Sequence, residues 1–150
     1  MLKKIFILFF LSAGSIGLVF FSSFQCSKSP SPRVVVMDFM EAVNKDDTTT
    51  IDKYLDLDKF AQEKMKDLPP EQREEAFPKV KEQLRNNLLG NGATRLKWKD
   101  KMIVVNKETI EGDQALVEVS FVDQKTGVTQ YTRTLLYKKD NAWKIYYFKD

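Results

Sequence analysis

The chain spaces its apolar residues in two different ways, and the change falls near Gly92. Val36, Phe39, Met40 and Val43 recur every three or four residues, which predicts a helix over roughly 32–45. Ser31-Pro32 supplies its start, with serine as the cap and proline at the first helical position, where a missing N–H costs nothing. Asn44-Lys45-Asp46-Asp47 ends it. Thr49 followed by Asp52 resembles a capping box with aspartate in place of glutamate. Ile51, Tyr54, Leu55 and Leu57 then stripe a short second helix that Phe60 to Lys66 continue. Pro69-Pro70 opens a third helical segment, with Phe77, Val80, Leu84 and Leu88 on one face and Gly90 and Gly92 as its stop. Pro78 inside that segment predicts a kink or a restart, because proline lacks a donor and crowds the preceding turn.

Beyond Gly92 the period shortens to two. Leu96, Trp98, Met102 and Val104 alternate with Lys97, Lys99, Lys101 and Ile103, which predicts a strand with lysines on its outer face. Ala115, Val117, Val119 and Phe121 alternate with Glu118 and Ser120. Glu111-Gly112-Asp113, Asp123 to Gly127 and Lys139-Asp140-Asn141 carry turn chemistry at hairpin spacing. The last strand, Trp143 to Phe148, is aromatic on both faces: Trp143, Ile145 and Tyr147 on one, Tyr146 and Phe148 on the other. Helices followed by strands predict an α+β fold, with N-terminal helices packed on a curved four-stranded antiparallel meander. One such domain would occupy residues 33–150.

A different pattern precedes it. Lys3 and Lys4 lead into an uncharged apolar run, Ile5 to Phe24, which closes at Ser22-Ser23-Phe24-Gln25-Cys26. Ser27 to Pro32 follow as a polar stretch. This layout resembles a bacterial lipoprotein precursor, with residues 1–25 as an export signal, Cys26 as the acylated first residue of the mature chain and 26–32 as a tether. Gln25 departs from the small residue usual before the cysteine, and such loosened boxes resemble those of spirochaete lipoproteins. The run is also long enough to span a bilayer as an uncleaved anchor, which needs about 20 residues. Either way the domain faces away from the cytoplasm. The resemblance implies a membrane-anchored lipoprotein of the cell envelope. Ser27, standing where an aspartate is often linked to inner-membrane retention, tilts the expectation towards the outer membrane.

Charge and cysteine content change meaning once the signal is set aside. The formal net charge of +3 falls by two without Lys3 and Lys4. So even a balance gives no support for nucleic-acid binding, which relies on clustered positive charge. Cys26 is the only cysteine, so no internal disulfide exists.

The order of elements is similar to that of the nuclear transport factor two-like fold. The residues that carry the likeness are Val35 to Val43, Asp46-Asp47 before Tyr54-Leu55, the strand entry Gly112-Asp113-Gln114-Ala115-Leu116-Val117 and the closing Asn141-Ala142-Trp143-Lys144-Ile145. The resemblance implies a cone of sheet around helices with a cavity between them. Its members include isomerases, dehydratases, lipid carriers and non-catalytic binding modules, so the fold does not name an activity.

The chain contains no histidine, which excludes histidine-based triads and imidazole metal ligands. Proton transfer would fall to a carboxylate, lysine or tyrosine. Asp100 is the weak catalytic candidate: in an unbroken strand it would share an apolar face with Trp98 and Met102, whereas a turn over Lys99-Asp100-Lys101 would leave it in solvent. Trp98, Asp100, Arg133, Tyr131 and Trp143 are the candidate cavity-lining residues. Arg133 shares a strand face with Tyr131, Leu135 and Tyr137, and is positioned either to enter a pocket or to pair across the sheet with Glu118. Asp52, Asp56 and Asp58 lack the spacing and glycine of a calcium loop and read as a polar helix face, so no metal and no cofactor are expected. These readings converge on a lipid-anchored, non-catalytic binding module, with a small apolar ligand or a second copy on the outer sheet face as partner. A lipid carrier and an isomerase or hydro-lyase using Asp100 are the alternatives.

Overall fold

The computed structural model describes residues 29–149, so the expected export signal and Cys26 lie outside the described residues. Five helices precede four strands: α1 (Pro32–Lys45), α2 (Thr48–Tyr54), α3 (Leu57–Lys64), α4 (Pro70–Leu88), α5 (Ala93–Trp98), β1 (Met102–Glu111), β2 (Gln114–Val122), β3 (Thr129–Lys139) and β4 (Ala142–Phe148). The strands form one antiparallel sheet in the order β1-β2-β3-β4. The fold is α+β, with helices packed on one face of the antiparallel sheet, as the sequence predicts. Among the described residues no helix is long and apolar enough to cross a membrane.

The helix starts follow their caps. Ser31 accepts a hydrogen bond from the Val34 N–H, and Asp47 and Asp56 accept from Thr50 and Lys59 at 3.2 and 3.0 Å. Each such side chain satisfies an N–H that the first helical turn leaves without a partner. Asp56 splits the expected second helix in two. Its own N–H instead donates to Ile145 on β4, so the helical ladder stops at Leu55 and restarts. Pro78 lies within α4 without a restart. Its missing N–H would have bonded the carbonyl of Glu74, an exposed residue whose oxygen water can reach.

The expected strand from Leu96 to Val104 needs correction. Residues 93–98 are helical because Thr94 and Trp98, one turn apart, both turn inward, at 3% and 1% exposure. Asp100 then reverses the chain with φ of 59°, and only Met102 onward is strand. Ile103 and Val105, not Met102 and Val104, therefore face the core side. Lys97 and Lys99 do not lie on the sheet, and Lys101 pairs with Asp123 at 3.2 Å. Gly92 permits the tight passage from α4 to α5, since a Cβ there would stand 2.2 Å from the Asn86 carbonyl oxygen.

The inner face of the sheet carries Val105, Ala115, Val117, Val119, Phe121, Leu136, Ile145 and Phe148, all buried. α1 covers it with Val35, Val36, Phe39, Met40 and Val43, and α3 adds Phe60. Aromatic rings fill the space between: Trp98 stacks on Phe121 with centroids 5.0 Å apart, and Phe60 meets Phe148 at 4.7 Å. The register slips at Tyr146, between the pairs Leu135↔Tyr147 and Leu136↔Ile145. This bulge corrects the strict alternation expected for β4: it turns Phe148 inward beside Ile145 and leaves Tyr147 half-buried opposite Leu135.

Candidate functional site

The expected cavity between sheet and helices is occupied by the aromatic core, and the five candidate lining residues are not brought together there. Trp98 and Trp143 are buried, at 1% and 7% exposure, as core side chains. Asp100 is exposed in the turn after α5. Of its two expected placements this is the turn over Lys99-Asp100-Lys101, and it lacks the shielded carboxylate that an Asp100-based isomerase requires. Tyr131 and Arg133 lie on the opposite side of the sheet from the helices.

That outer face holds a wide recess. It is an open groove of about 750 Å³ lined by Asn106, Glu118, Tyr131, Arg133, Leu135 and Tyr147, among others. The strand period places these residues in rows: Glu118 opposite Arg133, Ser120 opposite Tyr131, Leu135 opposite Tyr147. Polar partners pin the groove walls. Arg133 Nε lies 3.3 Å from Glu118 Oε1, the cross-strand pairing foreseen as one of its two roles. Asn106 sits at the β1 bulge and donates its amide to Ser120 Oγ at 2.6 Å. Between these pairs Leu135, Tyr147 and the ring of Tyr131, itself 76% exposed, present apolar surface. Asn106, Leu135 and Tyr147 were absent from the expected cavity lining. The alternation Tyr131-Arg133-Leu135 carries the signal for this face.

One end of the groove opens where the sheet loses a strand. β4 pairs with β3 only from Lys139 to Thr134, so Thr129 to Arg133 have no β4 partner. A second recess of about 320 Å³ occupies that gap, lined by Lys97, Trp98, Phe121, Gln130, Tyr131, Thr132 and Lys149. Tyr131, Thr132 and Lys149 line both recesses and join them. The Thr132 hydroxyl donates to the Lys149 carbonyl at 2.5 Å, which holds the end of the chain against this edge. The Gln130 Oε1 atom is buried without a hydrogen-bond partner.

A second polar cluster joins α3 and α4 to the rest of the fold. Arg85 grips Asp52 with two bonds of 2.7 and 3.1 Å, Lys81 meets Asp58 at 2.5 Å, and Lys139 lies 3.5 Å from Asp56. The Tyr137 hydroxyl also donates to Asp56. Burial pushes the Asp56 carboxyl up, but the hydrogen bonds from Tyr137 and the Lys59 N–H, with the Lys139 charge, outweigh it and hold the group below its usual range. Burial first, and then the bond and charge of Asp56, push Tyr137 up to about 12. Lys59 Nζ sits 3.4 Å from the centre of the Tyr137 ring and 4.7 Å from that of Tyr146. The acidic trio is thus neutralised by basic side chains, and no metal-holding cluster of histidine, cysteine or acid occurs among the described residues.

The sequence matches no protein-family model and no curated protein. Two solved structures are similar in shape. A provisionally assigned NTF2-like transpeptidase from Campylobacter jejuni is 20% identical, with a TM-score of 0.49 over 77% of this chain and 97% of that one. A phospholipid-binding protein from Ralstonia solanacearum, solved with a phospholipid, is 13% identical, with a TM-score of 0.51 over 78% of this chain and 74% of that one. At this identity the second likeness establishes a shared fold alone.

Proposed function

We propose that this protein is a lipid-anchored module of the cell envelope that binds an apolar or amphiphilic ligand in the groove on the outer face of its sheet, without catalysis. The open groove of about 750 Å³ carries the proposal. It falls in the size range of small-molecule sites, and two of its polar side chains, Arg133 and Asn106, are already held by Glu118 and Ser120, as expected of residues that orient a ligand rather than transform it. The fold shared with the Ralstonia phospholipid-binding protein is compatible with this reading. The pattern ending at Cys26 supports the anchor, and two or more acyl chains would keep the module on its membrane instead of letting it shuttle as a carrier.

Binding of a fluorescent apolar probe to the full chain tests the groove. Tyr131→Ala and Leu135→Arg should each abolish most of the probe signal while leaving the urea unfolding midpoint of Tyr131→Ala unchanged. Unaltered probe binding in both variants would contradict the proposal. A second copy is the competing occupant, and it would appear as a concentration-dependent mass together with protection of Tyr131. For the anchor, mass spectrometry of Cys26 and fractionation of Cys26→Ser are decisive: the variant should leave the membrane fraction if the signal is still cleaved.

A further inference from the structure

The recess at the open β3 edge differs chemically from the groove it joins. Lys97, in the last turn of α5, and Lys149, after β4, both line it, and neither ammonium has an ion-pair partner among the described residues. The acids of the adjoining strands are engaged elsewhere, Asp123 with Lys101 and Glu118 with Arg133. The Gln130 amide, whose oxygen is buried and unpartnered, lines the same recess. A continuous surface therefore runs from two lysines without an ion-pair partner among the described residues to the apolar stretch of Leu135 and Tyr147, with Tyr131 at the junction.

We infer that this surface takes an anionic lipid, with its phosphate headgroup between Lys97 and Lys149 and its acyl chain along Tyr131, Leu135 and Tyr147. The inference rests on the groove being a ligand site and names the class of ligand. A phosphate oxygen accepts charge-assisted bonds from both ammonium groups. A zwitterionic headgroup would bring its own cation towards two lysines. Free phosphate would fill the recess and leave the apolar groove in water.

The test uses the full chain in mixed vesicles of phosphatidylglycerol and phosphatidylcholine, one of which carries a photoreactive acyl chain, with adducts mapped by mass spectrometry. The phosphatidylglycerol probe should label residues 129–135 and Tyr147 in preference to the phosphatidylcholine probe. Lys97→Glu with Lys149→Glu should cut phosphatidylglycerol labelling by about tenfold or more and abolish its preference over phosphatidylcholine. Both side chains are exposed, and the milder Lys97→Gln with Lys149→Gln pair should move labelling in the same direction by less. Equal labelling by the two lipids in the unaltered chain would overturn the headgroup assignment and leave the groove standing. No labelling of the groove by either lipid would overturn both. Suppression of labelling by soluble glycerol phosphate would overturn the lipid assignment in favour of a free phosphate.

Discussion

The two faces of the sheet draw on the same residue types and reach opposite states. On the inner face, Val117, Phe121, Ile145 and Phe148 are sealed beneath α1 and α3, and the aromatic rings meet each other. On the outer face, Tyr131, Leu135 and Tyr147 alternate with Arg133, Glu118 and Asn106, and face an open groove. Aromatic content does not separate core from surface here. What separates them is whether polar partners are interleaved, because a helix laid over the Arg133–Glu118 pair would have to desolvate it. The inner face is closed by packing, and the outer face stays open to solvent.

Four substitutions probe this contrast, from the largest expected effect to the smallest. Trp98→Ala removes a ring that is 1% exposed and stacked on Phe121, and urea unfolding should show a loss of about 3–5 kcal/mol. A loss near 1 kcal/mol would mean that the interior is loosely packed and open to ligand. Tyr137→Phe breaks the bond to Asp56 and should cost about 1–1.5 kcal/mol, with a pH signature. Tyr137 is raised from 10.0 to about 12, so its contribution is complete below the ordinary value and is lost as pH rises through the folded one. The unaltered protein should lose stability across that window by more than Tyr137→Phe does. Asp56 has the opposite sign: its pKa is lowered, so its contribution is present above 3.8 and is lost as the pH falls below that value. Arg85→Ala removes a half-exposed pair from α4 and should cost only about 0.2–1 kcal/mol, shrinking further in salt. Tyr131→Ala should change stability by less than about 0.5 kcal/mol. A larger effect would place Tyr131 with the core instead of the groove.

Much of the architecture was legible in the chain. The helix over 32–45 and the hairpin turns follow from local signals: a serine cap before proline, and Gly112, Asp140 and Asn141 at positions that adopt φ of 59°, 51° and 61°. Two features were not legible, for physical reasons. Residues 93–98 satisfy both an alternating and a helical pattern, and only the fit of Trp98 between Phe39 and Phe121 selects the helix. The bulge at Tyr146 changes which aromatics point inward without any glycine or proline to announce it. The groove depended on a mismatch of strand lengths, since β4 has 7 residues and β3 has 11. No single-strand pattern reveals that gap or brings Lys97 and Lys149 to one recess.

Leu135 and Leu136 are neighbours in sequence and lie on opposite faces, Leu135 lining the groove and Leu136 fully buried against the helices. Methyl NMR of the full chain in nanodiscs, titrated with an amphiphile, therefore reads both faces at once. The account predicts that the Leu135 methyl signals shift while those of Leu136 stay in place. Larger shifts at Leu136 than at Leu135 would put the ligand inside the cone and contradict the assignment of binding to the outer face.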